Sequence, residues 1–343
     1  MTMIVFMLNL NTRFNALMSG GIALPGQGWK SAGVAKLWLA IILWLLPLSL
    51  LLLPEVSHAA RNGKTWGLTP LLGINRPQLK LLNHGEFIAG LPGRGRLTTQ
   101  STGENIDFDF IINNRLPAID RGTNGGLEFQ LLVSKKSALL FGFSVWEGTA
   151  RSRVATAIPF QGVLTPTIYQ RTGRISYFEY YLGWRHDFYH RPRKFNLYTK
   201  FILRELFDID YKEDFSFDFK NDGNTSFKRL VVIESQATGA LMFELGVGFE
   251  YFLYDWISIG MDAGYSFSNR RFTLGDANKK DDFQADDNLQ FKLPSILDSN
   301  GKLRYLKNAA PFDTDPSYNQ KNYRDLKLSF TGWRSFLRFN FYF

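Results

Sequence analysis

Cysteine is missing from all 343 residues, and histidine is limited to four. The first absence excludes a disulfide framework, a thiolate metal site and a cysteine-linked lipid anchor. It agrees with passage through an oxidising compartment. The second leaves little for imidazole chemistry, since His58, His84, His186 and His190 are all there is. Long apolar runs are scarce too. Leu37 to Leu53 is the single long one, and overall the chain is slightly polar, so it is no helical membrane protein. What abounds is aromatic: 31 Phe, 14 Tyr and 8 Trp suit strands and interfacial girdles.

The apolar run follows Lys36 and gives way to Pro54, Glu55, Val56, Ser57, His58, Ala59 and Ala60. A basic start, an apolar stretch and a small-residue exit read as a secretory signal peptide over 36–60, cleaved after Ala59 or Ala60. An uncleaved membrane helix competes, but the run is short and Pro47 interrupts it. Residues 1–35 lie ahead of any ordinary signal peptide and read as an overcalled start. Without residues 1–60 the chain stays clearly basic.

Eight segments alternate with period two, the signature of strands with two unlike faces. They are Asn105–Asn113, Leu127–Val133, Ser137–Glu147, Ile175–Tyr189, Phe195–Ile209, Thr238–Leu253, Ile257–Ser268 and about Leu326–Phe343. In Thr238–Leu253 one face reads Leu241, Phe243, Leu245, Val247, Phe249, Tyr251 and Leu253, and the other carries Glu244, Gly246, Gly248 and Glu250. One face is too aromatic for water and the other too charged for a protein core. Lipid on one side and a polar lumen on the other suits both.

A soluble sandwich also alternates, but its connections need not alternate in length. Here Ser134–Lys136, His190–Lys194 and Tyr254–Trp256 are short links, while 114–125, 148–174, 210–237 and 273–325 are long. With both termini in the periplasm, every short link falls inside and every long one outside. The expected fold is therefore all-β: an antiparallel transmembrane up-and-down barrel over 104–343. Segment 61–103, broken by Pro70, Pro77 and Pro92, reads as a periplasmic tail or plug. Alternatively it hides two further strands, making ten instead of eight.

The last strand ends Leu337, Phe339, Phe341, Phe343, with Arg334, Arg338 and Asn340 interleaved. That aromatic ending resembles the signal outer-membrane barrels present to their assembly machinery. The whole pattern resembles the OmpA, OmpX and OmpW type of small outer-membrane barrel. The resemblance implies a bacterial outer-membrane location, barrel assembly machinery as a partner, and a barrel that anchors while loops or a ligand path carry function.

Strand parity aims Asp107, Asp109, Glu128, Glu179, Asp187, Glu244, Glu250 and Asp262 into the lumen, with Arg185, Lys200, Arg204, Arg334 and Arg338. Such charges must pair away from water, so a salt-bridge core is expected, with a gated ion path as the alternative. Outer-membrane hydrolases resemble one another in placing a His near the outer leaflet; His186 and His190 fall at the opposite end. Asp276, Asp281, Asp282, Asp286 and Asp287 lack the ligand spacing of a calcium loop and read as solvated. No metal, cofactor or catalytic constellation is expected, nor nucleic-acid binding. At the outer rim, Arg151, Arg153, Arg171, Arg174, Arg270 and Arg271 are placed to meet lipopolysaccharide phosphates. The expected function is structural or interactive, in a monomer whose extracellular loops serve adhesion, envelope integrity or partner binding. A small-solute channel is the first alternative and an outer-membrane hydrolase the second.

Overall fold

The computed structural model describes residues 64–79, 90–114, 116–119, 121–191, 194–220, 226–237, 239–268, 272–273, 275–281, 289–293, 295–306 and 323–343. Residues 1–60, read as an extension and a signal peptide, lie outside these, as do His84, Arg270, Arg271, Asp282, Asp286 and Asp287. The strands in chain order are β1 Trp66–Pro77, β2 Leu91–Thr98, β3 Asn105–Ile112, β4 Gly122–Ser134, β5 Ser137–Phe160 and β6 Val163–Arg191. Then come β7 Phe195–Lys220, β8 Ser226–Ala237, β9 Ala240–Tyr254, β10 Ile257–Phe267, β11 Phe272–Thr273 and β12 Gly275–Asp281. The last are β13 Gln290–Phe291, β14 Ser295–Leu297, β15 Leu303–Leu306, β16 Tyr323–Asp325, β17 Lys327–Leu328 and β18 Gly332–Tyr342.

Eight of them close a ring, each antiparallel to its neighbours: β1, β4, β5, β6, β7, β9, β10 and β18, with β18 returning to β1. The number of ring strands is the expected one, but one member differs. The barrel opens with Trp66–Pro77, inside the segment read as tail or plug, and not with Asn105. Its ladder to β18 skips Thr69 and Pro70, so the missing proline N–H falls in a gap of the pairing. Asn105–Ile112 instead pairs with Leu91–Thr98 in a hairpin outside the ring.

The tight turns at Lys135–Lys136 and Asp255–Trp256 share one end of the barrel with Trp66 and Phe343, whose backbones bond to each other. At the other end three ring strands overshoot. Strands β5, β6 and β7 run 24, 29 and 26 residues, far beyond the eleven or so that cross a membrane. The described parts of the 148–174 and 210–237 links are thus continuations of the sheet, up to Lys220 and again from Ser226. Gln161 and Gly162, at φ of 50° and 81°, close the β5–β6 hairpin between the paired Phe160 and Val163, the geometry whose twist matches paired strands. The lower part of β7 pairs with β9, and its upper part with β8, which β12 extends.

Outside the ring, a band of large apolar side chains is exposed: Leu72, Phe143, Leu182, Trp184, Phe201, Leu245, Val247, Phe249, Met261 and Phe339 among them. On β6 it runs from Phe178 to Phe188, and eleven residues at ~3.3 Å tilted by ~45° span roughly 25 Å, the height of an outer-membrane apolar band. Trp256 and Tyr254 stack at the turn end, and Tyr265 meets Trp333 edge-on at the other. These are the positions where amphipathic rings sit at a membrane boundary.

Candidate functional site

Two layers inside this sheet bear on function. The first is the lumen. Burial on both sides forces its charges to pair, and they do so in a continuous lattice. Arg338 bonds Glu128 and, at 2.7 Å, Asp262; Lys200 reaches Asp262 at 2.7 Å and Glu244 at 3.1 Å. Arg204 joins Glu244 and Glu179, and Arg334 makes a fork onto Glu179 at 2.5 and 2.7 Å. Nearer the turns, Arg185 holds Glu250 and, at 2.8 Å, Asp187, and lies 3.9 Å over the Tyr198 ring. Glu128, Glu179, Arg185, Lys200, Arg204, Glu244, Glu250, Asp262, Arg334 and Arg338 are all buried within the ring.

Neutral donors complete the lattice. Ser144 donates to Glu179 at 2.5 Å and Tyr181 to Glu128 at 2.9 Å. Ser258, Asn196, Asn340 and Tyr342 all donate to Glu250. These partners were passed over in the sequence because a lone Ser, Asn or Tyr at an inward position looks like filler. Between the charged side chains a cavity of about 10 Å³ remains, lined by Leu71, Tyr181, Ile202, Phe336 and the ion pairs. That is room for about one water. Apolar layers close both ends. Leu132, Ala138, Leu140, Phe252 and Tyr342 pack on the turn side, and Trp146, Tyr177 and Phe330 on the other, their rings 5.0–6.1 Å apart.

Asp107 and Asp109 do not belong here. Their strand is outside the ring, and they pair with Arg96 and Arg94 at 3.0 and 2.6 Å on an exposed face. Alternation aimed them at a lumen only on the assumption that β3 was a barrel strand. The Asp109 carboxyl is held below its usual range, chiefly by the Arg94 hydrogen bond.

The second layer lies above the apolar band, where the overshooting strands and the connections form a mound with its own core. Phe215, Phe217 and Phe219 on β7 point inward, with Phe160, Tyr169, Val231, Ile233, Leu293, Leu303, Leu326 and Leu328 around them. Phe160 stacks on Phe219 at 4.2 Å and Phe217 on Phe291 at 4.3 Å. One ion pair is buried among them, Arg171 to Glu213 at 2.5 Å, and Glu213 also accepts from Ser295 and, at 3.1 Å, from Tyr211. Burial disfavours the Arg171 charge, yet Glu213 outweighs it and raises its pKa; burial pushes the hydroxyls of Tyr169 and Tyr211 up.

Arg171 is thus not a rim residue. Odd positions of β6 face inward from Thr165 to Asp187, and Arg171 is 1% exposed. Of the other rim arginines, Arg151 and Arg153 project outward just above the apolar band, and Arg174 does so beside Glu147 at 2.9 Å. Arg270 and Arg271 are not described. His186 and His190 sit at the turn end, where His186 Nδ1 lies 3.0 Å from Ser137 Oγ and His190 Nδ1 lies 2.6 Å from Asn196 Oδ1. Phe339 and Phe343 face outward on the ring, and Phe341 is half-buried there.

No protein-family model matches the chain, and no curated protein does. Among solved structures it is similar to the outer-membrane protease OmpT of Escherichia coli, at 7% identity and a TM-score of 0.35 over 81% of this chain and 97% of that one. It is also similar to Ail, the attachment invasion locus protein of Yersinia pestis, solved with the heparin analogue sucrose octasulfate. There the identity is 10% and the TM-score 0.22, over 81% of this chain and 98% of that one. A third is CarO2 of Acinetobacter baumannii, 12% identical with a TM-score of 0.24 over 74% and 98%. These likenesses concern the barrel architecture alone. That architecture is written in the chain's own coordinates: a closed antiparallel ring of eight strands, apolar outside and charged within, the fold of a small outer-membrane β-barrel.

Proposed function

We propose that this protein is a bacterial outer-membrane anchor whose work is done by the mound of connections above the membrane, as a surface for adhesion, envelope integrity or partner binding. The observation that carries the reading is the lumen. Five cations and six carboxylates interlock there, and the cavity between them admits about one water, with apolar layers above and below. A conducting pore needs a continuous aqueous path, and a catalytic lumen needs room for substrate. A charge-filled interior with an apolar layer towards each end favours an anchor over either.

The test has two arms. Fractionation of cells making the full chain places it in the outer membrane, with heat-modifiable migration on gels. Planar-bilayer recording of the refolded protein is expected to show no stable conductance. Recovery as a soluble periplasmic protein would sink the location, and a steady open channel would turn the reading to solute transport.

The rim extends the same proposal. Arg151, Arg153 and Arg174 project from adjacent strands just above the apolar band, where outer-leaflet phosphates lie, and a guanidinium meets a phosphate with two parallel bonds. Lipopolysaccharide is expected to raise the melting temperature of the wild type more than that of a variant with these three changed to Gln. Equal stabilisation would remove the rim contacts and leave the anchor.

A further inference from the structure

The hairpin of β2 and β3 ends its small sheet with an open edge. The sheet order is β13–β2–β3, so β2 is paired on both sides, while β3 has no partner on its second edge among the described residues. Edges of this kind are normally shortened, bulged or interrupted by proline, because their free N–H and C=O groups template further pairing. Here eight residues, Asn-Ile-Asp-Phe-Asp-Phe-Ile-Ile, run without bulge or proline, and Asn105 to Asp109 are all exposed. One face of the edge is apolar. Ile106 and Phe108 are 52% and 45% exposed, while Phe110, further along, is anchored edge-on against Phe291 at 5.9 Å. The other face carries Asp107 and Asp109, each bound by its cross-strand arginine and still about half exposed.

We infer that β3 is a docking edge for an extended segment of another protein, one that alternates Lys or Arg with branched apolar residues and adds as a further strand. Main-chain bonding along the free edge supplies affinity, and alternate side chains supply choice. In an added strand, residues directly opposite share a face. The partner's apolar residues would cover Ile106 and Phe108, and its basic residues would stand opposite Asp107 and Asp109 on the side away from Arg96 and Arg94.

The same geometry argues against a second copy of this chain. Two β3 strands pairing antiparallel about a two-fold axis keep like faces together only in alternate registers. The two most central of these set Asp107 against Asp109, or Asp109 against itself. Like charges directly opposite are destabilising, so the aspartates deter self-pairing while admitting a basic partner.

The inference rests on the mound being the presented surface. A binding test on refolded full-length protein in zwitterionic micelles nevertheless probes the edge whichever way the barrel faces, so its failure leaves the proposed location standing. The probe is a labelled octapeptide alternating Lys and Val, followed by fluorescence anisotropy. It is expected to bind wild type, and to lose binding when alternate peptide nitrogens are methylated on the bonding edge. An Asp107→Asn, Asp109→Asn variant, which keeps the hairpin's shape, should bind roughly two- to thirtyfold more weakly, as two cross-strand charge pairs predict. An Ile106→Ser, Phe108→Ser variant should also weaken it. Equal binding by wild type and the Asn variant, undiminished binding of the methylated peptide, or no binding to wild type would overturn the inference. So would a protein dimer that Phe108→Pro dissociates, since the occupant would then be a second copy.

Discussion

Below Ser176 the sheet is polar inside and apolar outside; above it the arrangement is reversed. Two neighbouring strands make the change differently. On β6 parity holds from Thr165 to Asp187, and the side chains change instead: Tyr169 and Ile175 face inward above, Glu179, Arg185 and Asp187 below. On β7 the phenylalanines keep odd numbers throughout, Phe201 and Phe207 outward, then Phe215, Phe217 and Phe219 inward. What turns them is one extra residue. Asp208 takes φ of 48°, and the register to β6 slips between Ser176 and Phe178. A bulge exchanges the two faces of everything beyond it. Lipid and water thus make opposite demands on one strand, and a single residue reconciles them.

The sharpest way to break the comparison is to remove a charge from the polar interior. Arg338→Met leaves Glu128 and Asp262 buried without their shared cation, and loss of one partner from a buried pair costs roughly 3–5 kcal/mol. Urea unfolding of the refolded barrel, followed by tryptophan fluorescence, should show the midpoint falling accordingly. The matching change above the membrane is Phe217→Ala, which empties a site between Tyr169, Phe219 and Phe291. Its cost is also about 3–5 kcal/mol. This loss is expected in the mound alone, as faster proteolysis of the outer connections with the barrel midpoint unchanged. If both midpoints fall together, the regions unfold as one unit.

Alternation was legible where a strand has lipid on one face, and seven of the ring strands announce themselves that way. It misled where the two faces meet something else. Asn105–Ile112 alternates as cleanly as any ring strand, yet it lies outside the ring: Phe110 and Ile112 lean on the mound, while Ile106, Phe108 and both aspartates stay exposed. Period two reports that the faces differ, without saying which solvent each meets. Trp66–Pro77 failed the opposite way, because Pro70 suggested a loop while the pairing gap that accommodates it is a three-dimensional fact. The ion pairs of the lumen were readable as a set of inward charges, but not as partners. Partners come from register across strands distant in sequence, as with Glu179 and Arg334. Glu213 did carry a signal: it is the one carboxylate among the odd residues 209–219, and an isolated charge in an aromatic row calls for a buried cation.

The outer faces sharpen the comparison with a smaller effect. Leu182→Arg puts a cation in the apolar band and should cost about 2–4 kcal/mol if the side chain meets hydrocarbon near mid-depth. Gln170→Arg, on the same face of the same strand but above the band, should change stability by no more than about 0.5 kcal/mol. Equal effects at the two sites would mean the boundary near Ser176 is misplaced.

The smallest effect belongs to the water-facing side of the mound. Lys212 and Glu234 face each other on β7 and β8 at 3.0 Å, each more than 40% exposed. The hydrogen bond to Glu234 raises the Lys212 pKa above its ordinary 10.5, despite partial desolvation. A raised ammonium pKa means that the folded state holds its proton more tightly. The contribution is therefore complete below pH 10.5 and disappears as pH climbs through the higher folded value. Solvent screening keeps it small, within about 0–1 kcal/mol. Glu234→Gln should thus lower mound stability slightly at neutral pH, measured by hydrogen exchange of the β7–β8 amides, and the difference should vanish in strong alkali. It should also shrink in high salt, whereas the Arg338→Met loss should not, because buried pairs are screened far less. A salt dependence shared by both would mean that water and ions penetrate the lattice, and that the interior of the barrel is no drier than its rim.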